Sequence, residues 1–256
     1  MQPNPVLQTL RSGGISIGTM FLEIASPGTC RIASQAGYDF LILDTEHSWR
    51  GVETIAWLLR TARDIGLPAI VRAPAFEGQW LTRYLDLGAA GLVIPRVESA
   101  DEAARIVDKI KYPPVGSRGM ANGLALDDFC PRPMPEFVEW ANTNILLALQ
   151  IETAKGVANR DEILATPGVD ALFIGPNDLS LSMGYPGQLQ HPEVIAATEA
   201  TFASAQAHGV APGMHMFDVP TARRWIERGA RFVCYSADIS FIIQSSRRDL
   251  AEIRGG

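Results

Sequence analysis

Short runs of aliphatic and β-branched residues recur along this chain. Each is followed by a longer stretch with apolar positions three and four residues apart, and then by a Gly or Pro break. The strand-like runs are 17–21, 40–46, 69–73, 91–97, 145–152, 171–175, 211–216 and 232–236. Helical stretches lie between them at 52–65, 80–87, 99–110, 193–208 and 221–228. Several end in a glycine (Gly66, Gly88, Gly209, Gly229) placed to close a helix in a left-handed conformation.

The strand runs are almost continuously apolar rather than alternating. Strands covered on both faces require this, so the pattern predicts a parallel sheet wrapped by helices. Eight such units predict an α/β chain folded as a (β/α)8 TIM barrel. A doubly wound open sheet is the structural alternative, but no G-x-G-x-x-G follows the first run. No boundary divides the chain, and 1–256 reads as a single domain. The Pro- and Gly-rich segment 112–144 reads as a long loop after the fourth strand, and 239–253 as a terminal helix.

Composition narrows the partners. The 256 residues carry 22 Lys+Arg against 28 Asp+Glu, a net charge of −6. No basic run could track a phosphate backbone, so nucleic acid is not an expected partner. No uncharged apolar stretch approaches the roughly 18 residues of a membrane span, and the N-terminal sequence lacks a signal-peptide layout. A soluble cytoplasmic protein with no membrane partner is expected. Cys30, Cys130 and Cys234 are far apart and share no C-x-x-C spacing, which reads as buried thiols in a reducing compartment.

In a barrel of this kind, reactive groups belong at the C-terminal ends of strands. The second run ends in LDTEHSWRG (Asp44, Glu46, His47), the third in VRAP (Arg72), the fifth in LQIET (Gln150, Glu152) and the sixth in FIGPNDLS (Asn177, Asp178). Each has a plain structural reading: a loop histidine, an ion-paired arginine, an Asp that caps a helix. Together they would crowd charge onto one face, which is costly unless something binds there. Two carboxylates with a nearby glutamine and no cysteine suit a hard divalent cation such as Mg²⁺ or Mn²⁺ better than zinc. His47 is then a proton-transfer candidate, and Arg72 a fixed cation for a developing oxyanion. The lysines, Lys109, Lys111 and Lys155, are poorly placed for an imine.

DFLILDTEHSWRG, IVRAP, LDLGAAGLVIPRVESADEA, YPPVGSRG, LLALQIET and GVDALFIGPNDLSLSMGYPG, with HPEV and APG after them, resemble the HpcH/HpaI family of metal-dependent class II pyruvate aldolases. The likeness runs from about residue 17 to 237. It implies a TIM barrel of the phosphoenolpyruvate/pyruvate type that cleaves a 4-hydroxy-2-oxo acid into pyruvate and an aldehyde. By the same resemblance Glu152 and Asp178 would hold Mg²⁺, Mn²⁺ or Co²⁺. His47 would move the hydroxyl proton, directly or through a water, and Arg72 would stabilise the enolate. Asp86 would raise the basicity of the histidine, from a neighbouring subunit if need be; chain proximity alone would favour Asp44 for that role. Gln150, Asn177, Asp178 and Arg72 would contact substrate, and the assembly would be a homohexamer using the terminal helix. The chain departs from better-known members at Met20, Thr45, Asn177 and His215, which leaves the aldehyde open. A decarboxylase of a dicarboxylic 2-oxo acid and a non-catalytic oxo-acid-binding barrel are the alternative readings.

Overall fold

Eight parallel strands pair in chain order and close on themselves, β8 returning to β1. They are β1 (Ser16–Phe21), β2 (Phe40–Asp44), β3 (Ala69–Arg72), β4 (Gly91–Ile94), β5 (Leu146–Ile151), β6 (Ala171–Ile174), β7 (Gly213–Met216) and β8 (Phe232–Ala237). This computed structural model describes residues 3–77 and 79–255. The helices among them are α1 (Pro5–Arg11), α2 (Gly28–Gln35), α3 (Val52–Asp64), α4 (Trp80–Asp86), α5 (Ala100–Ile110), α6 (Met134–Asn144), α7 (Ala154–Ala158), α8 (Arg160–Leu164), α9 (Pro176–Ser182), α10 (Pro192–Ala207), α11 (Val219–Glu227) and α12 (Asp238–Ile253). No helix of the described residues is long and apolar enough to cross a membrane.

The closed barrel replaces the open-sheet alternative, and strand parity explains the apolar runs. Leu41, Leu43, Val71, Leu92, Leu147, Leu149 and Leu172 face outward into a layer shared with the helices. Phe40, Ile42, Ile70, Val93, Leu146, Ala148, Phe173 and Phe232 fill the barrel interior. Both faces are dry, so both need apolar side chains. Gly18 leaves the room that the Phe40 ring occupies, and Phe40 stacks on Phe232 at 4.7 Å between centroids. The N-terminal helix α1, absent from the sequence expectation, adds Val6, Leu7 and Leu10 to this inner cluster. Asn4 caps it by accepting the N–H groups of Val6 and Leu7.

The segment 112–144 is not a continuous loop. It follows α5 rather than β4, turns once in a 3-10 helix over Ala125–Asp127, and ends in α6. Buried Lys111 donates to the carbonyls of Asn142 and Ile145 at the C-terminal end of α6, where a cation is favoured. Pro133 and Pro135 disguise this helix in the sequence, although proline is tolerated in a first turn. Cys30 and Cys234 are buried as expected, but Cys130 is exposed on this connection. The strand β4 ends at Ile94, short of the predicted 97, because Pro95 has no N–H for the ladder.

The seam where β8 meets β1 is held by one carboxylate. Asp238 accepts from the backbone N–H groups of Leu22, Glu23 and Ile24 after β1, at 3.1, 2.9 and 2.7 Å. It also accepts from the N–H of Ile239 at the start of α12. Arg50 lies against it at 3.9 Å with both side chains fully buried, and donates to the carbonyls of Phe21 and Ile24. Replacing Asp238 by Ala strands these donors beside a buried guanidinium. It should lower stability by about 3–5 kcal/mol, measured as a fall in thermal midpoint, whereas Asp249→Ala on the exposed face of α12 should leave the midpoint within about 1 °C.

Candidate active site

Inward parity carries past the apolar layers to the C-terminal ends of the strands, and there the interior becomes charged. Ile42 faces inward, so Asp44 does too; Ile70 faces inward, and Arg72 follows it. Asp44 and Arg72 are register partners across β2 and β3. Arg72 Nε and Nη2 donate to the two Asp44 oxygens at 2.8 and 2.9 Å, a bidentate pair with Asp44 fully buried. Burial alone would raise the Asp44 carboxyl, but the Arg72 hydrogen bonds and charge outweigh it and hold the group below the usual carboxylate range. The same carboxylate accepts the N–H groups of Glu46 and His47, which fixes the start of the loop after β2. Arg72 Nη1 is left over and reaches Glu46 at 3.4 Å.

Parity likewise sends Gln150 and Glu152 inward from β5. Gln150 Nε2 donates to Glu152 Oε2, while Glu152 Oε1 accepts the N–H of Arg96 at 3.1 Å. Arg96 presents that N–H from a left-handed conformation, φ 55°, just after Pro95. Across from this carboxylate stands Gly175, the last position before α9. A Cβ there would overlap Glu152 Oε2 and crowd Gln150 Nε2, so the glycine is a cradle for the carboxylate. Asp178 lies in the first turn of α9. Burial, then the Asp178 and Glu46 charges, push the Glu152 carboxyl up to about 7.

These residues fit a divalent cation. The donors are hard oxygens, and two buried oxygens beside them, Gln150 Oε1 and Glu46 Oε2, have no hydrogen-bond partner. Like-charged carboxylates gathered in a low-dielectric site need a positive charge beyond Arg72. Among the described residues no cluster of three or more His, Cys, Asp or Glu could cage a metal alone. A cation on Glu152 and Asp178 would thus keep positions open for water or substrate oxygens.

His47, Arg72, Gln150, Asn177 and Asp178 all line one cavity of about 300 Å³ at this end of the barrel. His47 stands at its mouth, with its side chain 58 % exposed and Nε2 3.7 Å from Glu46 Oε2. Glu46, which sequence reading noted but gave no role, thus links the histidine to Arg72. Gly175 and the Arg96 N–H were missed entirely; a glycine directly after the sixth strand was the one available signal. Asp86 is elsewhere within the chain. It ends α4, takes the buried Arg118 Nη2 at 2.6 Å, and does not line the cavity. Asp44, favoured by chain proximity, is the carboxylate that contacts the His47 backbone. The lysines are engaged outside the cavity, with Lys109 on the Phe76 carbonyl, Lys111 under α6 and Lys155 on Glu98.

Known proteins share this chain's sequence and fold. The family described as HpcH/HpaI aldolase/citrate lyase matches residues 18–245. A hydroxypyruvate/pyruvate aldolase of Paraburkholderia phytofirmans is 35% identical, over 98% of each chain. A 4-hydroxy-2-oxo-heptane-1,7-dioate aldolase of Salmonella paratyphi C is 36% identical over 95% of this chain and 92% of its own. Among solved structures, the HpcH/HpaI aldolase from Desulfitobacterium hafniense superposes with a TM-score of 0.93 at 34% identity, covering 96% of this chain and 95% of that one. With a match over most of its length, a closed barrel and the strand-end charges that the motifs foretold, this chain belongs to the HpcH/HpaI aldolase/citrate lyase family and is a carbon–carbon lyase of the aldolase kind.

Proposed function

We propose that the protein reversibly cleaves a 4-hydroxy-2-oxo acid into pyruvate and an aldehyde, with a divalent cation (Mg²⁺, Mn²⁺ or Co²⁺) held by Glu152 and Asp178. The observation that carries this reading is the Glu152 carboxylate in the Gly175 cradle, with the Asp178 charge near it and a guanidinium beside it whose Nη1 is not committed to Asp44. When bound, the cation supplies Lewis-acid polarisation of the 2-oxo acid.

The rest is done by side chains. In the cleavage direction His47 accepts the proton of the C4 hydroxyl, and a C4=O bond forms as the C3–C4 bond breaks. The electron pair of that bond moves into C2=C3, leaving enolate charge on the C2 oxygen, and Arg72 Nη1 is the donor placed to stabilise it. Protonation at C3 gives pyruvate. Asp44 holds Arg72 in one orientation, so the donor is aimed before substrate arrives. Gln150 and Asn177 line the cavity where they can contact the 2-oxo acid.

The reading extends to assembly. Ile239, Ile242, Ile243, Leu250 and Ile253 are exposed on α12. In a cytoplasmic homohexamer they would meet a neighbouring subunit. Asp86, remote from His47 in its own chain, would then act on the histidine of a neighbour.

Treating the protein with EDTA and removing the chelated metal should abolish pyruvate release from a 4-hydroxy-2-oxo acid, and Mg²⁺ or Mn²⁺ should restore it. Full activity in the metal-free protein would rule out the cation's role. His47→Ala should lower the cleavage rate by about 10²–10⁴-fold, the loss typical of an acid–base group, with metal affinity changed little by isothermal titration. Gly175→Ala should do the reverse. Its methyl displaces the Glu152 carboxylate, weakening metal binding measurably and lowering stability by about 1–3 kcal/mol.

A further inference from the structure

The cavity has two unlike walls. The side built from β2, β3, β5 and β6 carries His47, Arg72, Gln150 and Asp178. The side built from β7, β8, β1 and the segments after them carries Met20, Leu22, Phe217, Ala237 and Ile239, an apolar surface. His215 sits on that second wall, on the inward face of β7 with its ring 4.5 Å from that of Phe217.

An imidazole on an apolar wall is held there by design of the backbone. His215 Nε2 lies 2.9 Å from the carbonyl oxygen of Ser236. Ser236 has φ 56°, a left-handed conformation that a residue other than glycine adopts at a cost of about 1 kcal/mol or more. It falls where β8 carries one residue more than β1, the partners stepping from Gly18 and Cys234 to Met20 and Ala237. Such a bulge turns a carbonyl out of the ladder and re-aims it, here at the histidine.

The tautomer follows from that contact. A carbonyl oxygen only accepts, so Nε2 carries the hydrogen. Burial pushes the ring down to about 4, so at neutral pH Nδ1 is bare and can only accept. No described residue donates to Nδ1, and it is not among the fully enclosed unpartnered atoms. It therefore has access to the cavity that His215 lines.

We infer that His215 is a specificity residue whose Nδ1 accepts a hydrogen bond from a hydroxyl on the aldehyde-derived half of the substrate. This rests on the aldolase reading, because the charged wall then takes the 2-oxo acid half and leaves the other half against β7, β8 and β1. The substrate class is accordingly a 2-hydroxyaldehyde rather than a simple alkanal. A site built around an acceptor discriminates against an analogue that cannot donate, since substrate that displaces water from the cavity would leave Nδ1 unpaired.

The test pairs pyruvate with glycolaldehyde or with fluoroacetaldehyde in the synthetic direction, in the metal-loaded full-length protein. The two aldehydes are close in size, and fluorine makes fluoroacetaldehyde the more electrophilic, but only glycolaldehyde can donate, so a preference for glycolaldehyde runs against intrinsic reactivity. The wild-type protein should prefer glycolaldehyde by about 10–100-fold in kcat/KM, and His215→Leu should bring that ratio to within about threefold of one. A wild-type ratio near one, or a ratio unaltered in His215→Leu, would overturn the inference while leaving the aldolase reading intact. Absence of product from pyruvate with either aldehyde would instead count against the aldolase reading itself. Should His215→Leu fail to fold, the wild-type ratio decides alone.

Discussion

The bidentate contact between Arg72 and Asp44 is the constraint on which the functional end of the barrel depends. Both groups are buried, and adjacent strands hold them in register. Either alone would be an uncompensated charge in a low-dielectric interior, several kcal/mol less favourable than the pair. The pair fixes three further things. It leaves Arg72 Nη1 free of Asp44 and 3.4 Å from Glu46, it anchors Glu46 and His47 through their backbone N–H groups, and it sets a permanent positive charge near Glu152. An isolated guanidinium on a long flexible stem would reach many places; this one reaches few.

Around that pair the site is an excess of carboxylate. Glu46, Glu152 and Asp178 repel one another, and Arg72 offsets only part of the repulsion. Such a cluster persists because the barrel backbone over-determines it. Gly175 removes the side chain that would exclude Glu152, and the left-handed Arg96 delivers an N–H to its far oxygen. On the proposed reading a divalent cation would relieve this repulsion, so affinity for the ion would have the same origin as the gathering of the carboxylates. His47, the proton acceptor of the proposed reaction, stands exposed beside this cluster.

The remaining wall answers a different need. On the proposed reading bond cleavage engages the 2-oxo acid half at the charged wall, and the apolar wall meets the other half. That apolar wall includes an imidazole whose orientation is set by a bulge one strand away. Reaction type and substrate choice would then be carried by opposite sides of one cavity, with the seam at β8 and β1 stabilised independently through Asp238 and Arg50.

Much of this was legible in the chain because two periods overlap in it. The strand pleat has a period of two even where a run is apolar on both faces, so the polar residues that close these runs, Asp44, Arg72, Gln150 and Glu152, mark the functional end once the barrel is assumed. The glycine-terminated helical stretches were equally plain, because the left-handed turns at Gly66 and Gly229 are local matters. The helix α6 was obscured by prolines at its start, and α1 by its short length, although Asn4 and Pro5 were a fair cap signal. Local propensity says which stretches become strand or helix, but contacts between residues far apart in the chain decide what those elements enclose. Hence the cradle at Gly175, the Arg96 N–H on Glu152, the Ser236 carbonyl on His215 and the pairing of Asp86 with Arg118 could be read only from the tertiary structure. Each depends on backbone direction at a bulge, a left-handed residue or a loop, where neither period constrains the chain.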